Sequence, residues 1–371
     1  MPGALTVHKG AFLAYRLFEV ADEVDLARAE QLLLGEAART RPRRERSEAL
    51  EIPNPPLAVS LGRRTLSLAG RERQLELSAR LFDFGVVSLL FTAALEAPVE
   101  LGSLVALSDE LADSPALVEL GRREVDLLMG RLDPAARRPH RWEGHETYTV
   151  LFLEELRGEK GPALATDLLR DSQLVVRLLV GEQSTLPLSA AERHDVLRRR
   201  FSYQKRDLAV IDWNSALVLE PSGSRDVPDL LEFATAQLLE LRYYDALLDR
   251  ELARIYGEIS TRRFGLFSLF GGRYSQLSRE MTRLVVEVAE FAERIENAVK
   301  VVGDFYLARV YHGAVLRFRL PVWQAALDRK QELLVQTAGV LKQDLDTRRT
   351  LSLDLLIALL ILGELLLVLK V

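Results

Sequence analysis

The chain of 371 residues contains no cysteine. That single absence removes disulfides, thiolate zinc sites, iron–sulfur clusters and cysteine nucleophiles together. The five histidines give no metal pattern either. His140 and His145 sit in an irregular stretch, His194 and His312 are isolated, and no Glu-x-x-His occurs, the pair that carboxylate-bridged sites in helical bundles need. Neither G-x-x-x-x-G-K-[ST] nor G-x-G-x-x-G is present, so no glycine-rich phosphate cradle is encoded. No serine sits in a nucleophile elbow. His194 and Asp195 are adjacent on a helix and point apart. Asp207 and Asp212 bracket a strand at opposite parity, so they cannot act as a dyad. No catalytic residue and no cofactor is expected. The charge balance also excludes a global field, because a net charge of −5 with a pI near 5.8 pulls the protein onto neither nucleic acid nor anionic lipid. The first residues lack the basic-then-apolar pattern of a signal peptide, and the run 11–20 is broken by Arg16 and Glu19.

What is present is a globular chain, 48% hydrophobic and 28% charged, too apolar for disorder. Alternation predicts strands at 12–19, 57–61, 64–68, 73–81, 82–95 and 148–153, with a hairpin from 208–212 to 216–219. Helical spacing appears over 25–34, 103–132 and 162–169. A further helix within 185–200 is entered through Ser189 with Glu192 three residues later, a capping-box pattern. After Pro221-Ser-Gly-Ser224 nearly everything has helical period. Ala234, Leu241, Leu248 and Ile255, with Leu238, Leu252 and Ile259 on the flanking line, mark a seam spanning roughly 30 residues, or about 45 Å at 1.5 Å per residue. A second seam runs through Leu277, Met281, Leu284, Val288, Phe291 and Ile295, and a third through Leu320, Trp323, Leu327, Leu334 and Leu341. The expected fold is α+β: a mixed α/β domain over 1–225, a long antiparallel, coiled-coil-like bundle over 226–349, and a C-terminal transmembrane helix over 350–371. Some twenty largely Leu, Ile and Val residues between Arg349 and Lys370 match the thickness of a bilayer core, and Arg348 and Arg349 set the bulk of the protein on the cytoplasmic side. A buried core helix is the alternative, which Asp354 and Glu364 would suit.

Three groups of residues stand out against this pattern. Asp245 and Lys330 fall on apolar stripes of the bundle, where a lone charge is costly, so a paired network that Lys300 and Asp304 could join is expected. Register specification is the plain role for such a network. Phe264, Phe267 and Phe270 crowd a Gly-flanked tip after Arg262-Arg263, which suits membrane or partner contact unless the rings fold back on the protein. Arg137-Arg138 near Trp142, and Arg198, Arg199 and Arg200 followed by Tyr203, mix cations with aromatics as RNA-binding surfaces do. A solvated helix C-terminus explains the second of these equally well.

The segments DLAVIDWNSALVLEP (207–221), LLEFATAQLLELRYYDALLDREL (230–252) and ENAVKVVGDFYLARVYHGAVLRFRLPVWQAALDRK (296–330) resemble the "required for meiotic nuclear division 1" family, also called domain of unknown function 155. FDFGVVSLLF (82–91) and the C-terminal apolar helix carrying Glu364 are similar to that family as well. The resemblance is strong over 205–371 and weak before 80. It implies mitochondrial inner-membrane relatives that support translation by tethering ribosomes and that self-associate; no catalytic residues are established for them. Without a presequence, a bacterial-type relative at the cell inner membrane is expected. The function expected is a membrane-tethered, homo-oligomeric, non-enzymatic scaffold or adaptor. The alternative is an RNA- or ribosome-contacting membrane tether supporting translation.

Overall fold

A computed structural model describes residues 5–33, 37–39, 54–96, 98–159, 161–184, 186, 188–260, 279–286, 288–289 and 305–368. The strands are β1 Thr6–Glu19, β2 Ala21–Val24, β3 Ala37–Arg39, β4 Leu57–Leu68, β5 Arg71–Leu81, β6 Val86–Ala94, β7 Val99–Glu100, β8 Ala136–Pro139, β9 His145–Gly158, β10 Gly161–Pro162, β11 Arg200–Phe201, β12 Leu208–Ile211 and β13 Ser215–Leu219. The helices are α1 Leu26–Leu32, α2 Val105–Ala112, α3 Pro115–Leu132, α4 Ala165–Arg170, α5 Ser172–Val180, α6 Ala190–Leu197, α7 Asp226–Ser260, α8 Phe305–Arg317 and α9 Leu320–Val368. Residues 279–286 and 288–289 are also helical.

One sheet dominates, in the order β11-β12-β13-β9-β1-β6-β5-β4-β3, with β7 on β1 and β10 on β9. Its pairs are antiparallel except β13 on β9, which run parallel from Ser215↔Thr149 to Leu219↔Leu153. The expected hairpin is there, with Ile211 opposite Ala216. The two strands expected over 57–68 are one strand, β4, bent by a register shift between Ser60 and Gly62. The helical stretch 103–132 is two helices, because the Ser114 hydroxyl accepts from Leu117 N and Pro115 opens α3 at its first turn.

Both faces of the sheet are covered, which is why β1 is nearly continuous in apolar residues. Phe12, Ala14 and Phe18 of β1 join Leu89 and Phe91 of β6 in a core beneath α2, α3 and α5. Arg16 is fully buried on that side. Its Nη1 donates to Tyr15 O at 2.7 Å and its Nη2 to Leu111 O at 2.5 Å, satisfying the carbonyl end of α2 where a cation is favoured. Burial nonetheless lowers the guanidinium to about 10. The opposite face receives the first half of α7, with Phe233 against Phe82 at 6.0 Å.

That opposite face also encloses charge. Arg80 of β5 lies 2.5 Å from Glu232 and 2.8 Å from Asp229 of α7, and the Glu232 side chain is wholly buried. Burial raises the Glu232 carboxyl above its ordinary range despite Arg80, with Asp229 adding to the rise. The Tyr15 hydroxyl is buried beside this centre and has no hydrogen-bond partner among the described residues. Isolated charges of this kind are tolerated only as pairs, so the triad fixes which turn of α7 meets the sheet.

The chain divides into two compact units, 1–243 with 298–321 and 244–297 with 322–371. In the second unit Leu248, Ile255, Met281, Val288, Leu327 and Leu334 are buried. The expected C-terminal transmembrane helix is not supported: among the described residues no helix is long and apolar enough to cross a membrane. The apolar run after Arg349 is no separate element. It forms the last turns of the single helix α9, which begins at Leu320 with a largely polar composition, and Asp354 and Glu364 interrupt it.

Candidate functional site at the basic and aromatic edge of the sheet

The edge strand β11 leaves α6 and leads into the loop 202–206. Asp207 builds that loop: its carboxylate accepts from Tyr203 N at 3.0 Å, Gln204 N at 2.7 Å and the Ser202 hydroxyl at 3.1 Å. Three donors on one buried carboxylate make a fixed turn that holds Tyr203, Lys205 and Arg206 outward. Helix α8 packs alongside. Phe201 lies against Gly313, where an added Cβ would sit 2.3 Å from the ring, so only glycine permits this approach. Tyr203 meets Tyr306 with ring centroids 5.9 Å apart.

A charge clamp holds α8 down. Arg317 Nη1 donates to Asp195 at 2.6 Å, and its Nε donates to Asp212 at 2.9 Å, tying α6 and the β12–β13 turn to the helix. Burial would lower Arg317, but the two carboxylates outweigh it and raise the guanidinium. Hydrogen bonding to Arg317 in turn holds the Asp195 carboxyl below its usual range. Tyr311 donates to Gln237 of α7 at 2.7 Å, and Phe318 packs edge-on to Tyr148 at 5.3 Å.

Outside this rigid frame lies a cationic, aromatic surface. Tyr203 is 71% exposed, Phe305 89% and Trp213 49%, with the Arg319 guanidinium 5.9 Å from the Trp213 ring centre. Arg198, Arg200, Lys205, Arg206, Arg309 and Arg319 are exposed and form no ion pair among the described residues. Arg199 feels the crowding: burial, then the Arg317 and Arg198 charges, push its guanidinium below its ordinary value.

The residues singled out from sequence divide cleanly. Arg198, Arg199, Arg200 and Tyr203 share this surface, whereas Arg137 and Arg138 do not contribute free charge to one. They lie in the small β2–β8 sheet, where Arg137 pairs with Glu23 at 3.1 Å and Arg138 with Asp22 at 2.5 Å. Asp245 and Lys330 form the expected pair at 2.6 Å, and Asp249 joins them at 2.6 Å. Lys300, Asp304, Phe264, Phe267 and Phe270 lie outside the described residues. Sequence reasoning missed Phe305, Arg309, Trp213 and Arg319; the exposed positions 305, 309, 312 and 316 repeat at helical spacing, but Phe305 and Leu316 make that stripe read as partly apolar. Among the described residues no cluster of His, Asp and Glu could hold a metal ion.

The family described as "Uncharacterized protein MJ0711, N-terminal domain" matches residues 9–225, more than half of the chain, and the chain belongs to it. A similar protein is the uncharacterized protein MJ0711 of Methanocaldococcus jannaschii, 25% identical over 177 residues that make up 47% of this chain and 53% of the relative. The chain thus spans about half the length of the curated relative it matches. No solved structure matches. Nothing in these likenesses links the chain to the "required for meiotic nuclear division 1" family, whose resemblance lies mainly over 205–371.

Proposed function

We propose that the first unit binds single-stranded RNA through the 198–206 segment and α8, and that the chain acts as a non-enzymatic tether. The observation carrying this reading is the set of six exposed cations, none ion-paired among the described residues, along an edge with exposed Tyr203 and Phe305 at the start of α8 and exposed Trp213 beside Arg319 past its end. Cations track phosphates, and rings stack on unpaired bases without needing sequence. A second reading has its own observation: Leu353, Ile357, Leu359, Leu360, Ile361, Leu362 and Leu365 of α9 are all exposed, an apolar surface that suits self-association in a scaffold.

Fluorescence anisotropy with a labelled single-stranded RNA separates the two. Binding should weaken with salt at a slope of roughly −0.7 per phosphate contacted. Tyr203→Ala should cost about 1–3 kcal/mol, and Arg198→Ser with Arg206→Ser should flatten the slope. Unchanged binding in these variants, or none in the parent at low salt, refutes the RNA reading. Sedimentation of the full chain against one ending at Arg349 tests self-association: equal masses at all concentrations refute it.

A further inference from the structure

A second feature of the first unit, built from other elements, is a cavity of about 440 Å³ between α3 and the strap 139–142. Along α3 it is lined by Arg122, Val125, Asp126, Met129, Gly130 and Asp133. Positions 122, 126, 129 and 133 share one helical face, so this is a groove running about three turns, roughly 16 Å. Its ends differ in sign. Arg122 turns its donors to Trp142 O at 3.5 Å, to Glu143 O and to the His145 ring at 3.4 Å, and forms no ion pair among the described residues. Asp133, just past the C-terminus of α3, is exposed and forms no ion pair among the described residues. The helix dipole adds further negative potential at that end. Between them lie the apolar Phe18, Val125 and Met129 together with Asp126, which Arg141 reaches, and Gly130 opens onto free space.

The strap is held in a fixed and strained shape. Arg138 adopts φ +48, unusual for a non-glycine residue, and its carbonyl accepts from His140 Nδ1 at 3.2 Å. The His140 ring stacks on Tyr243 at 4.7 Å, with its Nε2 facing the buried Glu19 carboxylate at 3.6 Å. Trp142 meets the same tyrosine edge-on at 5.6 Å. Only the rim contact is weak: Arg141 reaches Asp126 at 3.5 Å with both side chains more than half exposed, so that clasp opens at little cost. A preformed, mostly apolar groove with a few placed polar groups is the ordinary form of a small-ligand site.

We infer that this groove binds a short zwitterionic peptide with apolar side chains, its ammonium at Asp133 and its carboxylate at Arg122. At about 3.3–3.6 Å per extended residue, the distance between the two ends fits four or five residues. A simple organic anion or cation would satisfy one end and leave the other unused.

The test is calorimetric titration of the full chain with Gly-Leu-Phe-Leu-Gly bearing free termini, against its N-acetylated and C-amidated forms. The free peptide should bind saturably, and each blocked form should bind about tenfold more weakly. Asp133→Asn should erase the discrimination against the acetylated peptide while leaving that against the amidated one. Gly130→Leu, at an exposed helical position with room for the side chain, should abolish binding with the circular dichroism spectrum intact. Blocked and free peptides binding alike, binding that survives Gly130→Leu, or no saturable binding by the folded parent overturns the inference.

Discussion

Replacing Arg80 with Ala is the sharpest perturbation the fold offers. Arg80 is the counter-charge of Glu232, whose side chain is fully enclosed, and of Asp229. Deleting it strands both carboxylates, and breaking a buried pair from one side costs about 3–5 kcal/mol. The substitution also removes a long aliphatic stem, but that loss is independent of pH, and the carboxylate contribution is not. The Glu232 carboxyl already sits above its usual range, burial being the larger influence and Arg80 the opposing one. A carboxyl raised in the folded state contributes stability that is fully present below its unfolded value, near 4.3, and is lost as pH rises through the folded value. Without Arg80 that folded value rises further, so the window of loss moves toward neutrality. Urea unfolding at pH 5 and pH 8 in a Trp323→Phe background, where Trp142 and Trp213 report the first unit, measures both parts. The Arg80→Ala deficit should be large at pH 8 and clearly smaller at pH 5. Pairing it with Glu232→Leu should recover most of the loss. A deficit below about 1 kcal/mol, or one equal at both pH values, would show that the charges are not buried as described.

Asp245→Ala should destabilise the second unit by about 2 kcal/mol, less than for a fully buried pair because Asp249 still reaches Lys330; a double-mutant cycle with Lys330→Met reads the coupling. Gly313→Ala should cost about 1–3 kcal/mol by forcing a methyl group against Phe201, seen in thermal unfolding, and should weaken RNA binding because α8 shifts. Acid should loosen the α6–α8 clamp. Asp195 is depressed by hydrogen bonding to Arg317, so its contribution is present above the unfolded value near 3.9 and is lost as pH falls through the lower folded value. An Arg317→Gln variant should lack that part of the acid sensitivity, as a titration of the Asp195 carboxyl resonance would show.

Much of the sheet was legible because alternation is a local property. The hairpin at 208–219, the strand ending at Glu19 and the capped helix after Ser189 all follow from neighbouring residues. Arg16 was not legible. It reads as an interruption of an apolar run, and only the tertiary placement of the α2 carbonyl end explains its burial. The site was half legible for the same reason. Arg198–Tyr203 announce themselves by composition, but nothing local says that Arg137 and Arg138 meet Asp22 and Glu23 across β2 and β8. Nor does it say that residues 305–319 return to the sheet to complete the surface. The apolar tail misled because hydropathy counts residues along the chain. It does not register that the run continues a helix begun thirty residues earlier at Leu320.

The place of β1 has a consequence for biosynthesis. Leu13 pairs with Thr92 on one side and with Val150 on the other, and β9 itself is completed only by Ser215–Leu219 of β13. β1 therefore leaves the ribosome well before the strands that complete its surroundings. Until those arrive, an apolar ribbon with two open edges is exposed on the growing chain. Such non-local closure is slow and invites association with other unfinished chains. Shielding β1 until Ser215–Leu219 has been translated should therefore raise yield, which should respond to chaperone supply and translation speed more than to substitutions on the finished surface.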